Sequence, residues 1–421
     1  MNQVIKFRLV KFMSCLFYFL PFVLLTGPFL PDLFLSTIAV IFIYISIRDK
    51  EYKYYLNYFF FIFIFFYLII IISSLVSEYK IFSLESSIFY FRYLIFALAT
   101  WFLIDNNKNF IKIFTYFLLF TFLYALIDGY YQYLYSNSIF GFDHEHPFRL
   151  NLPLDDKLFL GGYLSRIFPF LFGLVLVTFK LNKENYIFIG TLLILTDVLI
   201  FVSAERTALF LLTLSTIIIL ILLSELKLFR LVTIILSLLI IIIISFSSPE
   251  IKERNVDYTL KQMGATNESE RINIFSPQHE SHFRGAFNMF KENVALGVGP
   301  NVFRKVCNYE GYRHNGLTCS THPHNSYMQL LAETGVITFT IYISLFLLIC
   351  FSMFNHLWNM LLRKRVKYSD YQICLLTAIV LTLWPFAPTL NFFSNWINII
   401  YFMPVGFFLH TINKEISFQS K

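Results

Sequence analysis

The sequence predicts an all-α, polytopic membrane protein with about twelve transmembrane helices and one long extramembrane loop that carries short helices. Three observations predict it. The 421 residues are 57% hydrophobic and 14% charged, with mean hydropathy +0.66, which is more apolar surface than a soluble domain can hide. Apolar runs of spanning or near-spanning length recur along almost the whole chain. Lysine and arginine concentrate in every second connection, the asymmetry that arises when alternate loops stay on the cytoplasmic side. The 53 phenylalanines belong to a chain-wide compositional bias, so no single aromatic residue carries an argument.

Taken in order, Lys6, Arg8 and Lys11 precede a first run from Phe12 to Leu30. It resembles a signal peptide but has no small-x-small cleavage site and is followed by many more spans, so it is expected as an uncleaved first helix. Further runs are Leu33–Ile47, Leu56–Val76, Ile88–Ile104, Ile111–Leu134, Phe159–Phe179, Ile187–Ala204, Ala208–Leu223 and Leu228–Phe246. After a long polar interval come Leu330–Phe351, Tyr371–Phe386 and Phe393–His410, which makes twelve, several of them short. With the N-terminus inside, the inner segments hold 18 lysines and arginines, whereas the short outer loops hold only Lys80, Arg149, Lys157 and Arg206. That split supports twelve spans with both termini cytoplasmic. The chain then divides into nine helices in 1–246, a loop at 247–326, and three helices with a cytoplasmic tail in 327–421.

The long loop holds nine basic and eight acidic residues. The net charge of +7 is therefore not a polybasic patch, and nucleic acid is not an expected partner. The part around Gly264–Glu280, rich in polar residues, reads as loop. Beyond it Phe283, Phe287, Phe290 and Val294 fall at helical spacing with Arg284, Asn288 and Lys291 opposite, which predicts a helix lying on the membrane surface. The turn G-V-G-P at 297–300 ends it, and these glycines are no dinucleotide fingerprint because no strand precedes them. Of five cysteines only Cys307 and Cys319 are placed outside, where an oxidising compartment permits a disulfide between them. With no C-x-x-C pair, neither a zinc ribbon nor a thioredoxin-type site is indicated.

The residues able to carry chemistry gather on the outer side. In C-S-T-H-P-H-N-S-Y-M-Q-L-L-A-E-T-G, from Cys319 to Gly335, Pro323 holds His322 extended and suits a first helical turn, and Gly335 supplies the stop. His324 is expected in that first turn, where the positive end of the helix favours neutral imidazole, the form that accepts a proton. Asn325 and Tyr327 beside it are further candidates for contact with a substrate. Other outer histidines, His144, His146, His279, His282 and His314, are expected as solvated loop residues; H-E-S-H at 279–282 is not H-E-x-x-H, so no metal site is expected. Arg206 in S-A-E-R-T-A sits at the outer end of a span, where an arginine is costly unless paired, with Glu205 for instance, or in a wet cavity. Arg284 on the surface helix reads either as a snorkelling side chain or as a second anion contact. Arg166 follows two glycines in G-G-Y-L-S-R that allow close backbone approach, and Arg92, within a span, is expected in a structural pair.

These residues together resemble the O-antigen ligase family, whose members include O-antigen polymerases. The sharpest motif is His324-Asn325, then nine residues to Gly335 and two more to Thr338. R-G-A-F-N-M-F with G-V-G-P-N-V-F, F-R-L-N with G-G-Y-L-S-R at 148–166, and S-A-E-R-T-A are similar to family segments, and the resemblance covers nearly the whole chain. R-L-N-L-P at 149–153 departs from it, since a glycine is expected where Leu152 stands. The resemblance implies a GT-C-like membrane glycosyltransferase without metal or other cofactor. It implies a donor, an undecaprenyl-diphosphate-linked glycan, and an acceptor, lipid A–core, with membrane lipids around the protein. The enzyme would sit in the bacterial inner membrane with a periplasmic active site. By that resemblance His324 is the motif histidine, and Arg206 and Arg284 lie near the diphosphate. A polymerase using the same donor is the alternative. A transporter of lipid-linked sugars would instead place ionisable groups near the bilayer midplane.

Overall fold

The structure is a computed structural model that describes residues 1–141, 149–180, 182–248 and 275–419, with side chains as far as 413, and five single positions between 248 and 275. His144, His146 and most of the loop expected around Gly264–Glu280 lie outside the described residues. Among those described there is no strand. The helices are α1 (Gln3–Val23), α2 (Phe29–Asp49), α3 (Tyr58–Val76), α4 (Lys80–Ser87), α5 (Phe91–Asn106), α6 (Phe110–Tyr135) and α7 (Leu160–Thr178). They continue as α8 (Lys183–Val202), α9 (Arg206–Leu222), α10 (Lys227–Ser247), α11 (Pro277–Glu292), α12 (Ser326–Leu361), α13 (Asp370–Thr382) and α14 (Asn395–Gln419). Each apolar run of the sequence coincides with a helix, and nine helical segments of the described residues are long and apolar enough to cross a membrane, α4 and α5 counting as one. The other three runs fall on α9 with 17 residues, α13 with 13, and α14, so twelve is reached only if these cross as well.

At the centre stands α7, buried at every position from Leu160 to Val175 and packed by α6, α9 and α13. Two arginines on the helices are paired with carboxylates, as burial in a low-dielectric interior favours. Arg230 on α10 makes two 2.9 Å bonds to Asp197 on α8, with Thr216 and Ser237 completing the set. Arg92 pairs with Asp32 of α2 at 2.8 Å, the structural role expected for it.

Two departures from regular helix shape one end of the bundle. Within α12, Gly335 adopts φ 78°, which separates a short helix, Ser326–Thr334, from the membrane helix that follows. Gly297, at φ 68°, lies against the backbone of Glu333, and the amides of Val298 and Gly299 cap the carbonyls of Ala332 and Glu333. The two glycine turns of the sequence thus meet, each lacking the Cβ that would collide with the other's backbone. The second departure follows α13, where Pro385 and Pro388 prevent helix and leave irregular backbone as far as Ser394. Its carbonyls are satisfied from α12: the Tyr327 hydroxyl donates to Leu383 O, and Asn325 Nδ2 donates to Pro385 O at 2.8 Å. Broken backbone survives at this depth because side chains supply its partners.

Candidate active site

Connections at this same end enclose a cavity of about 910 Å³. Five cationic side chains line it, Arg149, Lys157, Arg166, Arg206 and Arg304, against two carboxyls, Asp156 and Glu205, together with His279, His322 and His324. Such a surface suits a polyanion, and guanidinium forks match phosphate oxygens two at a time.

His324 does not lie in the first helical turn. Asn325 is the N-cap, its side chain accepting from the amides of Tyr327 and Met328, so the helix begins at Ser326 and His324 precedes it with φ 58°. The carbonyl of His324 accepts from Thr389 N at 2.9 Å, which ties this left-handed residue to the broken segment after α13. The imidazole is neutral for a reason other than the helix dipole. Burial, then His322, His279 and His282 around it, push it down to about 3. Burial likewise brings His322 down to about 4 and lowers His279, which also feels Arg206.

His322, extended before Pro323, lies beside His324 with ring centres 4.0 Å apart and the rings tilted by 44°. Its Nε2 donates to Thr389 O at 3.2 Å, and its Nδ1 meets the Thr321 hydroxyl at 2.9 Å. His279 and His282 are not solvated loop residues either. Both lie on α11, within 5.4 and 5.5 Å of the His324 ring; His279 lines the cavity and His282 is fully buried. His314 is exposed, as expected. No group of three or more His, Cys, Asp or Glu able to hold a metal ion occurs among the described residues.

Arg206 and Arg166 line the cavity, Arg166 lying over the Phe159 ring with Nη1 donating to Gly162 O. Arg284 does not reach it: the residue is exposed on α11, and Arg304 of a neighbouring helical turn lines the wall instead. The buried face of α11 is Ser281, His282, Gly285, Ala286 and Met289, packed on α12, while Phe287 and Val294 stay exposed. The hydrophobic periodicity pointed to the phenylalanine face because spacing cannot tell a face meeting lipid from a face of small residues meeting protein. Asn325 and Tyr327 are buried clamps for the broken segment and do not line the cavity.

Glu205 is not simply held ionised. Its two oxygens accept from Gly161 N at 2.7 Å and Gly162 N at 3.1 Å, and Arg149 stands 3.9 Å away. Burial nevertheless outweighs these partners and pushes the carboxyl up to about 7. The two glycines thus serve as amide donors at the start of α7. Leu152, where the resemblance expects glycine, is fully buried in the cavity wall. Arg149 and Arg304 were missed as site residues because sequence places them on unremarkable loops. Cys307 and Cys319 are joined in a disulfide that flanks the 320–324 segment.

No curated protein matches the chain. Residues 189–343 match the family described as O-antigen ligase, a region that contains Arg206, all four clustered histidines and the Gly335 kink. Over that region the chain is similar to the O-antigen ligase family.

Proposed function

We propose that the protein is a ligase-type glycosyltransferase that moves a glycan from undecaprenyl diphosphate to lipid A–core. On this reading the reaction runs on the periplasmic face of the bacterial inner membrane with both termini cytoplasmic, and the 18 to 4 division of lysine and arginine between alternate connections supports that orientation. One observation carries the reading: five cationic side chains and a neutral imidazole face one cavity at one end of a membrane bundle.

A diphosphate is already a good leaving group and needs its charge neutralised more than it needs a proton. Arg149, Arg166, Arg206 and Arg304 supply that charge in bidentate form without a metal ion. The acceptor hydroxyl attacks the anomeric carbon opposite the departing diphosphate, which inverts configuration, and His324 takes the hydroxyl proton. An imidazole at about 3 is a weak base in the empty cavity. The negative charge of a bound diphosphate raises it, so the base is activated by the donor it serves.

A lipid-linked donor is supported by a second, apolar cleft of about 260 Å³ between α3, α12, α13 and α14, walled by residues such as Phe63, Tyr342 and Phe402. Phe392 and Asn398 of that cleft alternate along the chain with Asn391, Ser394 and Trp396 of the cavity, so the two spaces share one segment. The test incubates purified protein with the lipid-linked glycan, with and without lipid A–core. Glycan on the core is the expected product; a longer lipid-linked chain would identify a polymerase, and neither product would sink both readings.

A further inference from the structure

The proposed chemistry gives no role to His282. It lies one turn after His279 on α11, fully buried. Its Nδ1 lies 3.0 Å from the carbonyl of Thr318, which can only accept, so the proton sits on Nδ1 and the lone pair on Nε2. That Nε2 is buried and has no hydrogen-bond partner among the described residues. A buried acceptor left unpaired is costly, and the site that retains it supplies a donor at some stage of its work. The ring of His324 lies 5.5 Å away, tilted by 32°, with no hydrogen bond between the two in this structure.

His324 has the complementary need. The tautomer of His322 is fixed by Thr389 O and that of His282 by Thr318 O, both carbonyls. His324 Nε2 instead meets the hydroxyl of Ser320 at 3.0 Å, which can donate or accept, so this contact leaves its tautomer open. A base must present a lone pair to the hydroxyl it deprotonates, and an orienting acceptor on its other side secures that.

We infer that His282 is a positioning residue for His324: in the working site His324 donates an N–H to His282 Nε2, which leaves the other nitrogen of His324 unprotonated, with its lone pair for the acceptor hydroxyl. The inference rests on His324 being the base. As the acceptor oxygen bonds to the anomeric carbon, the bond from that carbon to the diphosphate oxygen breaks and its electron pair leaves with the diphosphate. The hydroxyl proton passes to the free nitrogen of His324. No proton moves to His282, whose Nδ1–H goes on donating to Thr318 O and whose Nε2 lone pair stabilises the imidazolium. The disulfide at Cys319 sits between Thr318 and Ser320 and so holds both anchoring residues of this chain of contacts.

The experiment compares glycan transfer and melting temperature in the full-length wild type, His282→Ala, His282→Gln and His324→Ala. His282→Ala should melt close to wild type and lose about 10–100-fold in kcat at unchanged donor KM, as loss of an orienting partner does elsewhere. The acid limb of its kcat should move to lower pH, and added imidazole should restore part of the rate. The other ionisable groups of the cavity, Arg149, Asp156, Lys157, Arg166, Glu205, Arg206, His279, Arg304 and His322, are unchanged in the variant. His282→Gln, which keeps a donor and an acceptor, should retain more activity. A folded His282→Ala with wild-type kcat and pH profile, beside an inactive His324→Ala, overturns this inference alone. An active His324→Ala overturns the base assignment and the inference with it. Should His282→Ala not fold, the 15N resonances of the wild-type histidines decide, since donor binding must shift His282 Nε2 as it becomes a hydrogen-bond acceptor, and no shift overturns the proposal.

Discussion

The backbone at His324, with φ 58°, is in a region that costs a residue other than glycine about 1 kcal/mol or more, and it persists because its neighbours over-determine it. Thr389 N binds its carbonyl, and Asn325 both caps α12 and holds Pro385 O. Replacing the imidazole should leave this frame intact: His324→Ala is expected to insert and fold but to lose about 10²–10⁴-fold in turnover, the usual contribution of a placed base. With His324 at about 3 in the free protein, kcat/KM should show no limb from it down to about pH 5, while kcat, which reports the donor complex, should fall on the acid side. A limb near pH 7 that vanishes in Glu205→Gln would move the base to Glu205, whose carboxyl stands at about 7. Arg206→Lys keeps the charge but not the planar fork, and should lose roughly 10–100-fold in transfer measured with purified protein. Near-normal turnover in that variant would make Arg206 a structural residue.

At the scale of elements, α11 and the 307–324 segment form a lid of packed pieces over α12, and the disulfide closes a separation of 12 residues within it. Chain entropy assigns such a closure roughly 3 kcal/mol. Reduction, or Cys307→Ser, should leave the membrane bundle intact but loosen Thr318 and Ser320. Activity should therefore fall before the main melting transition moves, as read by transfer assays and melting curves with and without reductant. Free labelling of both thiols in unreduced membranes would show that the bond is absent. The stop at Gly335 was legible from a glycine after an apolar face, whereas the start of α11 was not: the stretch as far as Glu280 reads as loop from its polar composition, yet Ser276 caps a helix that begins at Pro277. Which side of α11 is buried was not legible, because Ser281, His282 and Gly285 carry no hydrophobic signal and owe their burial to the partner they meet.

For the whole molecule, acid should destabilise the fold through the histidines of the cavity. His322 at about 4 and His324 at about 3 both stay neutral in the folded state where an unfolded imidazole, near 6.5, takes a proton. At these two sites the unfolded chain thus binds more protons below pH 6.5, and their contribution to stability falls as pH drops from about 6.5 towards 4. Glu205 and Glu333 work the other way between about 7 and 4.5, since each raised carboxyl takes a proton first in the folded state. The two histidines and the two carboxyls largely offset each other down to about pH 4.5, below which only the histidines still bind fewer protons than in the unfolded chain, so melting temperature should decline there; Glu205→Gln, which lacks part of the offset, should begin to decline at higher pH, and a flat profile in both would refute this balance. Sequence by itself determined the apolar helices, their order, the stop at Gly335 and that His324 and Arg206 share one end of the bundle, because hydropathy, charge asymmetry and glycine or proline punctuation are local signals. Only the tertiary structure decided that His279 and His282 join His324, that Arg149 and Arg304 line the cavity while Arg284 stays outside it, and that Glu205 faces the start of α7. Those facts depend on which face of one element meets another far away in the chain, and on burial that shifts a proton's affinity only after that packing exists.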